Sequence, residues 1–251
     1  MQTQTPSRAP MPVTPAPLLR RDGYVLLPSA LARAGFDASG EALQGPGWAR
    51  FAASWEDLRP DEHMADRGRY RLRRHAVYTL EHGHAGITRA PHRPHFQSLD
   101  FNPLNGGRER WFAPVEAAVG EGPAMTALLN GARAVFDVMR PRSDWLVEAH
   151  QFRIQARPEE AGRPTPEGMH RDGVDYVLVT LIGRENVEGG VTGIRVDGQE
   201  GEAASFALRD PMDSVLLDDR RVWHGVTPVV PLDPARPGHR DVLVLTFRAG
   251  G

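Results

Sequence analysis

His170 and Asp172 stand two residues apart in Pro166-Glu167-Gly168-Met169-His170-Arg171-Asp172-Gly173, and His224 stands in Val222-Trp223-His224-Gly225. Two imidazoles and one carboxylate, in the order His-x-Asp and then a distant His, are the donor set of the facial triad that holds iron(II) and leaves coordination positions open. Side chains alternate along an extended segment, so His170 and Asp172 can reach one metal from the same side. His224 lies far enough along the chain for several strands to bring it back beside them. The tripeptide alone is weak, since a chain of this composition holds about one by chance. This one holds two, and no histidine follows the other, His239-Arg240-Asp241. Context separates them. His170 follows a Pro/Glu/Gly turn and precedes the apolar run Tyr176 to Ile182, and His224 follows the tight Asp218-Asp219-Arg220-Arg221 turn.

The elements that must hold these residues come from a chain of 251 residues, 40% hydrophobic and 25% charged, long enough for a well-buried core. That composition excludes a disordered chain, a collagen-like fibre and a disulfide miniprotein. A net charge of -2 builds in no general attraction to nucleic acid or anionic membrane. Cysteine is absent, which removes disulfides, thiolate zinc, iron–sulfur clusters and a cysteine nucleophile. Lysine is absent too, so a buried cation site must use arginine. No signal-like or membrane-spanning apolar run occurs, and the expected location is cytoplasmic.

Residues 1–20, rich in Pro, Thr and Ala, read as a flexible tail, and residues 21–251 as a single domain. Within it, 21–142 supply helices and loops and 143–251 the β-rich core. Trp48, Phe51, Trp55 and Leu58 share one helical face, as do Met125, Leu128, Leu129, Ala132, Val135, Phe136 and Met139 over about 124–139. Segment 69–80 is strand-like, and 83–105 is a long irregular stretch with His82, His84, His92 and His95 in and beside it. Those four histidines lack a spacing that would converge them and read as loop composition. After Pro141, segments 145–156, 175–182, 191–196, 203–208, 214–217, 222–227 and 240–248 are short, β-branched and punctuated by turn residues. Seven strands without a long helix among them predict two facing antiparallel sheets, a jelly roll, with the N-terminal helices buttressing one of them.

The segments PTPEGMHRDGVDYVLVTLIGRENVEGG, LLDDRRVWHGVTPV and RDVLVLTFR, with YRLRRHAVY and FQSLDFNPLNGGRERWF upstream, resemble the iron(II)/2-oxoglutarate dioxygenases that include bacterial L-isoleucine and related free amino-acid hydroxylases. The likeness runs from about Arg69 to Arg248. It implies a double-stranded β-helix fold, mainly β with flanking helices. It also implies Fe(II), 2-oxoglutarate and O2, with His170, Asp172 and His224 as the iron ligands. The keto acid's distal carboxylate needs a cation, and an arginine fork suits it. Arg240, opening the last strand, is placed like the arginine of related dioxygenases, and Arg248 shares its face and competes. A free L-amino acid would need an acceptor for its ammonium, with Asp175 and Asn186 as candidates, and a clamp for its carboxylate, with Arg73 or Arg74. Gly189-Gly190, Gln97, Asn102 and Asn105 could line the pocket or serve their own turns. The expected activity is hydroxylation of a C–H bond of a small molecule, with release of succinate and CO2 and no nucleic-acid or membrane partner. Two alternatives stand beside it: a cupin-like metal enzyme that does not use 2-oxoglutarate, and a catalytically silent jelly-roll binding protein.

Overall fold

The computed structural model describes residues 15–250. Helices are α1 (Pro15–Asp22), α2 (Ser29–Phe36), α3 (Gly45–Ala53), α4 (Ala117–Gly120) and α5 (Pro123–Met139). Strands are β1 (Tyr24–Leu27), β2 (Arg59–Pro60), β3 (Arg71–Leu80), β4 (Thr88–Arg89), β5 (Trp145–Ala156), β6 (Tyr176–Glu185), β7 (Val187–Gly189), β8 (Val191–Val196), β9 (Ala204–Ala207), β10 (Ser214–Asp218), β11 (Val222–Val226), β12 (Val229–Pro231) and β13 (Gly238–Ala249). The large sheet runs β1-β10-β6-β13-β5-β3-β2, with β4 on β3. Facing it are a three-stranded sheet, β11-β8-β9, and the pair β12-β7. All these pairings are antiparallel, and together they make the jelly roll. Among the described residues no helix is long and apolar enough to cross a membrane.

Period-two alternation gives the large sheet two different faces. Leu178, Leu216, Leu243, Leu245 and Phe247 point outward and join Leu128, Leu129 and Phe136 of α5 in one core. Phe136 stacks on Tyr176 with ring centroids 4.8 Å apart. The opposite positions, Val177, Val215 and Leu217, pack against Ile194, Val196 and Val222 of the smaller sheet. Burying each of these aliphatic side chains contributes roughly 1.5–3 kcal/mol, so the two cores fix the separation of the layers in which the site lies.

The tail expected over residues 1–20 is corrected where it can be tested. Pro15–Asp22 is helical and buries Ala16 and Leu19, whereas residues 1–14 lie outside the described part. Pro15 and Pro17 occupy the first turn, where helical N–H groups have no partner in any case, so prolines that read as tail composition are compatible with a helix start.

Candidate active site

The inner face of the jelly roll encloses a cavity of about 140 Å³, and all three members of the triad line it. His170 does not sit in a long strand. It forms an isolated bridge with His224, each backbone N–H donating to the other's carbonyl at 2.9 Å. Their rings are consequently 4.5 Å apart. His170 Nε2 lies 3.7 Å from Asp172 Oδ1, and His224 Nε2 lies 3.4 Å from Asp172 Oδ2. One donor atom from each residue falls within 4.8 Å of the others. His224 Nε2 is buried and has no hydrogen-bond partner, so its lone pair or proton is left facing the other two donors.

Burial by itself would push the Asp172 carboxyl up, but the adjacent imidazoles of His170 and His224 hold it well below its usual range. Burial likewise disfavours the His224 imidazolium, yet Asp172 and Asp219 override it and push that group up to about 10. Both carboxylates therefore favour a positive charge at this spot, and a divalent cation meets the same demand.

Asp219, which carried no functional reading in the sequence, holds the Asp172 loop in place. Its Oδ1 accepts the N–H of Asp172 at 2.9 Å, and its Oδ2 accepts those of Gly173 and Val174 at 2.8 and 3.0 Å. Gly173 has φ +79°, and a Cβ there would meet the Phe101 ring at 2.4 Å, so the turn that aims Asp172 requires glycine. An asparagine at 219 offers one oxygen where three N–H groups need two. Asp219→Asn should weaken retention of a metal held at Asp172 about 10–100-fold, the usual loss for groups that orient a ligand. Equilibrium dialysis against Fe(II) or Mn(II) checks this, and unchanged affinity would remove Asp219 from the support.

Arg240 and Arg248 prove to be in different places. Arg240 is 2% exposed, lines the cavity, and leaves Nε and Nη2 buried without partners. Burial pulls its guanidinium down to about 10, so it remains a cation at neutral pH. Gly190, at φ +68°, makes room for it, because a Cβ there would lie 3.1 Å from Arg240 Cδ. Arg248 is exposed, outside this cavity, and donates to the Gly173 carbonyl at 3.1 Å.

Three of the four substrate candidates are corrected. Asp175 pairs with Arg140 at 2.7 Å and Arg220 at 3.2 Å, accepts the Ala249 N–H, and does not line the cavity. Asn186, at φ +48°, donates to the carbonyls of Asp233, Arg236 and Pro237 and closes a surface loop. Arg74 alternates to the outer face of β3 and pairs with Asp57 and Glu116 at 2.6 and 2.8 Å. Its neighbour Arg73 faces inward and lines the cavity, with its guanidinium 3.5 Å from the Phe112 ring centroid and 4.4 Å from that of Phe152. Gln97 and Asn102 also line it, and Gln97 donates to the Asp172 carbonyl at 3.1 Å.

Of the loop histidines, His82, His84 and His92 are exposed, whereas His95 departs from the loop-composition reading. His95 converges with His75, Glu148 and His150, whose donor atoms lie within 4.8 Å. Hydrogen positions explain the group. Arg73 Nη2 can only donate, so His150 Nδ1, 2.7 Å away, must accept. His150 Nε2 then carries the hydrogen and faces Glu148 Oε2 at 3.5 Å. His75 Nε2 approaches the same oxygen at 3.5 Å, and His95 Nδ1 is hydrogen-bonded to it. Burial lowers all three imidazoles, which keeps them neutral. Burial would raise Glu148, but their N–H groups hold it well below the carboxylate range. The network thus ends on Arg73 and fixes it in the cavity wall. Sequence spacing does not reveal it, because its members come from β3, β5 and a loop.

Comparison with known proteins agrees with this architecture. The family model described as 2OG-Fe dioxygenase matches residues 52–246. The 3(1)-hydroxy-L-isoleucine 4-dioxygenase of Pantoea ananatis (strain AJ13355) is 25% identical over 166 residues, which are 64% of this chain and 66% of that enzyme, just short of two thirds of its length. The crystal structure of a bsmA homologue from Methylobium petroleophilum PM1 is 38% identical, covers 96% of both chains and superposes with a TM-score of 0.85. That of IDO from Bacillus thuringiensis, 18% identical over 94% of this chain and 98% of the other, shares the fold with a TM-score of 0.76.

Proposed function

The chain belongs to the 2OG-Fe dioxygenase family, and from that premise we propose that it hydroxylates a free L-amino acid, with His170, Asp172 and His224 holding the iron and Arg240 holding 2-oxoglutarate. The family uses Fe(II), 2-oxoglutarate and O2, and its membership sets aside the cupin-like and silent-binder alternatives. The observation that carries the residue assignment is the pairing, in one cavity, of three converging metal donors with a buried arginine whose Nε and Nη2 have no partner among the described residues. Two imidazoles and one carboxylate suit iron(II).

Iron(II), when bound, supplies the O2 chemistry that inserts one oxygen atom into a substrate C–H bond and places the other in succinate as 2-oxoglutarate loses CO2. The protein's own residues bind and orient. Arg240 offers its two unpartnered nitrogens to the distal carboxylate of the keto acid. Phe152, Val179, Val215, Val242 and Val244 give the cavity an apolar lining that keeps bulk water from the reacting centre. The choice of an amino acid rests on the Pantoea relative, whose name gives a hydroxylated isoleucine as its substrate.

A screen of the proteinogenic L-amino acids, scored by substrate-stimulated succinate release and product mass, should give at least one product carrying one added oxygen, with aliphatic side chains favoured. Failure of every free amino acid, while a peptide, lipid or nucleobase supports turnover, would end the amino-acid reading and leave the dioxygenase chemistry in place.

A further inference from the structure

Arg240 and the triad do not account for all the buried polar atoms in the cavity wall. Glu167 Oε2, Arg110 Nε and Arg73 Nε are also buried without a hydrogen-bond partner, and all three residues line the same cavity. Leaving such atoms unpaired is costly, the more so for charged groups, and a ligand that pairs them recovers that cost. Their surroundings show which of them are free to act. Arg71 is neutralised by Asp61 at 2.7 Å, and Arg73 shares Asp61 at 3.6 Å and is held by His150. Arg110, 2% exposed, makes no side-chain hydrogen bond or ion pair among the described residues, and burial lowers its guanidinium. It is a desolvated cation facing a cavity, with Arg73 as a second cation in the same wall.

Glu167 is the complementary anion. Among the described residues only Glu167 Oε2 and Asp218 Oδ1 are buried carboxylate oxygens without partners, and only Glu167 lines the cavity. Its other oxygen, Oε1, lies 3.5 Å from His170 Nδ1, which places the carboxylate beside the triad. Glu148 does not line this cavity, and its Oε2 is already hydrogen-bonded to His95 with the His75 and His150 rings 3.5 Å away.

We propose that Glu167 and Arg110, with Arg73 behind them, form the subsite for the α-ammonium and α-carboxylate of the substrate. This rests on the amino-acid reading above and identifies the residues that would enforce it. A molecule bearing both poles pairs Glu167 and Arg110 together, whereas one bearing a single pole leaves the other group desolvated and unpaired. The subsite therefore selects zwitterions against amines, hydroxy acids and N-acylated amino acids.

The test uses the full chain loaded anaerobically with Fe(II) and 2-oxoglutarate, with binding measured by titration calorimetry. The probes are the proteinogenic L-amino acids, starting with L-isoleucine, and for the tightest binder the matching α-hydroxy acid and the matching decarboxylated amine. Wild type should bind the amino acid about ten- to a hundredfold more tightly than either analogue. Glu167→Gln should abolish the preference over the hydroxy acid, and Arg110→Gln the preference over the amine, while both variants keep wild-type iron content and 2-oxoglutarate affinity. The comparison of analogues on wild type tests the subsite even if a variant folds poorly. Equal binding of all three probes overturns the proposal. So does a Glu167→Gln protein that loses iron yet keeps the ammonium preference, because Glu167 would then serve only to orient His170. If an amino acid is hydroxylated and neither variant changes its selectivity, the subsite falls and the proposed function stands. If no amino acid binds, both fall together.

Discussion

Replacing His224 by alanine should abolish iron retention and reduce turnover by more than about 100-fold, because loss of a ligand must exceed the roughly 10–100-fold penalty for disturbing the groups that only orient one. His170→Ala and Asp172→Ala should behave alike. The fold should survive, since none of the three belongs to a hydrophobic core and the bridge between residues 170 and 224 is made by backbone atoms. An open catalytic metal site is not the main source of folding energy. A change of about 1–2 kcal/mol, or roughly 2–8 °C in the thermal midpoint, is the expected structural effect. Iron content by elemental analysis and succinate release check the prediction together. A His224→Ala protein with full iron content and turnover would remove that histidine from the metal centre.

Arg240→Ala should raise the 2-oxoglutarate concentration needed for half-maximal rate about ten- to a hundredfold and leave iron affinity nearly unchanged. The lost interaction is a charge-assisted contact worth about 1.5–3 kcal/mol. Among the described residues Arg240 Nε and Nη2 have no partner to lose, so the penalty falls on ligand binding rather than on the fold. Arg248→Ala is the control. That side chain is exposed, lies outside the cavity, and its one side-chain hydrogen bond among the described residues goes to the Gly173 carbonyl, so its removal should leave the 2-oxoglutarate requirement within about twofold. The opposite ranking of the two variants would place the keto acid elsewhere.

What the sequence revealed and what it hid divide on physical grounds. The seven strand segments after Pro141 were legible because β-branched runs with turn residues between them are local signals, and β5, β6, β8, β9, β10, β11 and β13 lie where those segments place them. The short pair β7 and β12 was not, because three residues carry no usable period. The His-x-Asp spacing could be read directly, and the absence of lysine narrowed the cation to arginine. Choosing between Arg73 and Arg74 required the strand register, since adjacent residues of β3 face opposite sides of the sheet. Asp175 and Asn186 misled because acidic and amide residues in a promising segment look the same whether they bind a ligand or close a turn. Asp219, Glu167 and Arg110 were invisible as a group for the converse reason. Their significance lies in unpaired or shared atoms, which appear only after separate segments have been brought together.

The most direct test of the metal and keto-acid assignment is optical. The protein is made anaerobic, loaded with one equivalent of Fe(II) and titrated with 2-oxoglutarate while the visible spectrum is recorded. Chelation of iron by the keto acid should produce a charge-transfer band that saturates at one equivalent. The band should be absent in His170→Ala, Asp172→Ala and His224→Ala, and should require a higher 2-oxoglutarate concentration in Arg240→Ala. A wild-type protein that holds iron but develops no band, or a band of full intensity in His224→Ala or Asp172→Ala, would contradict the assignment.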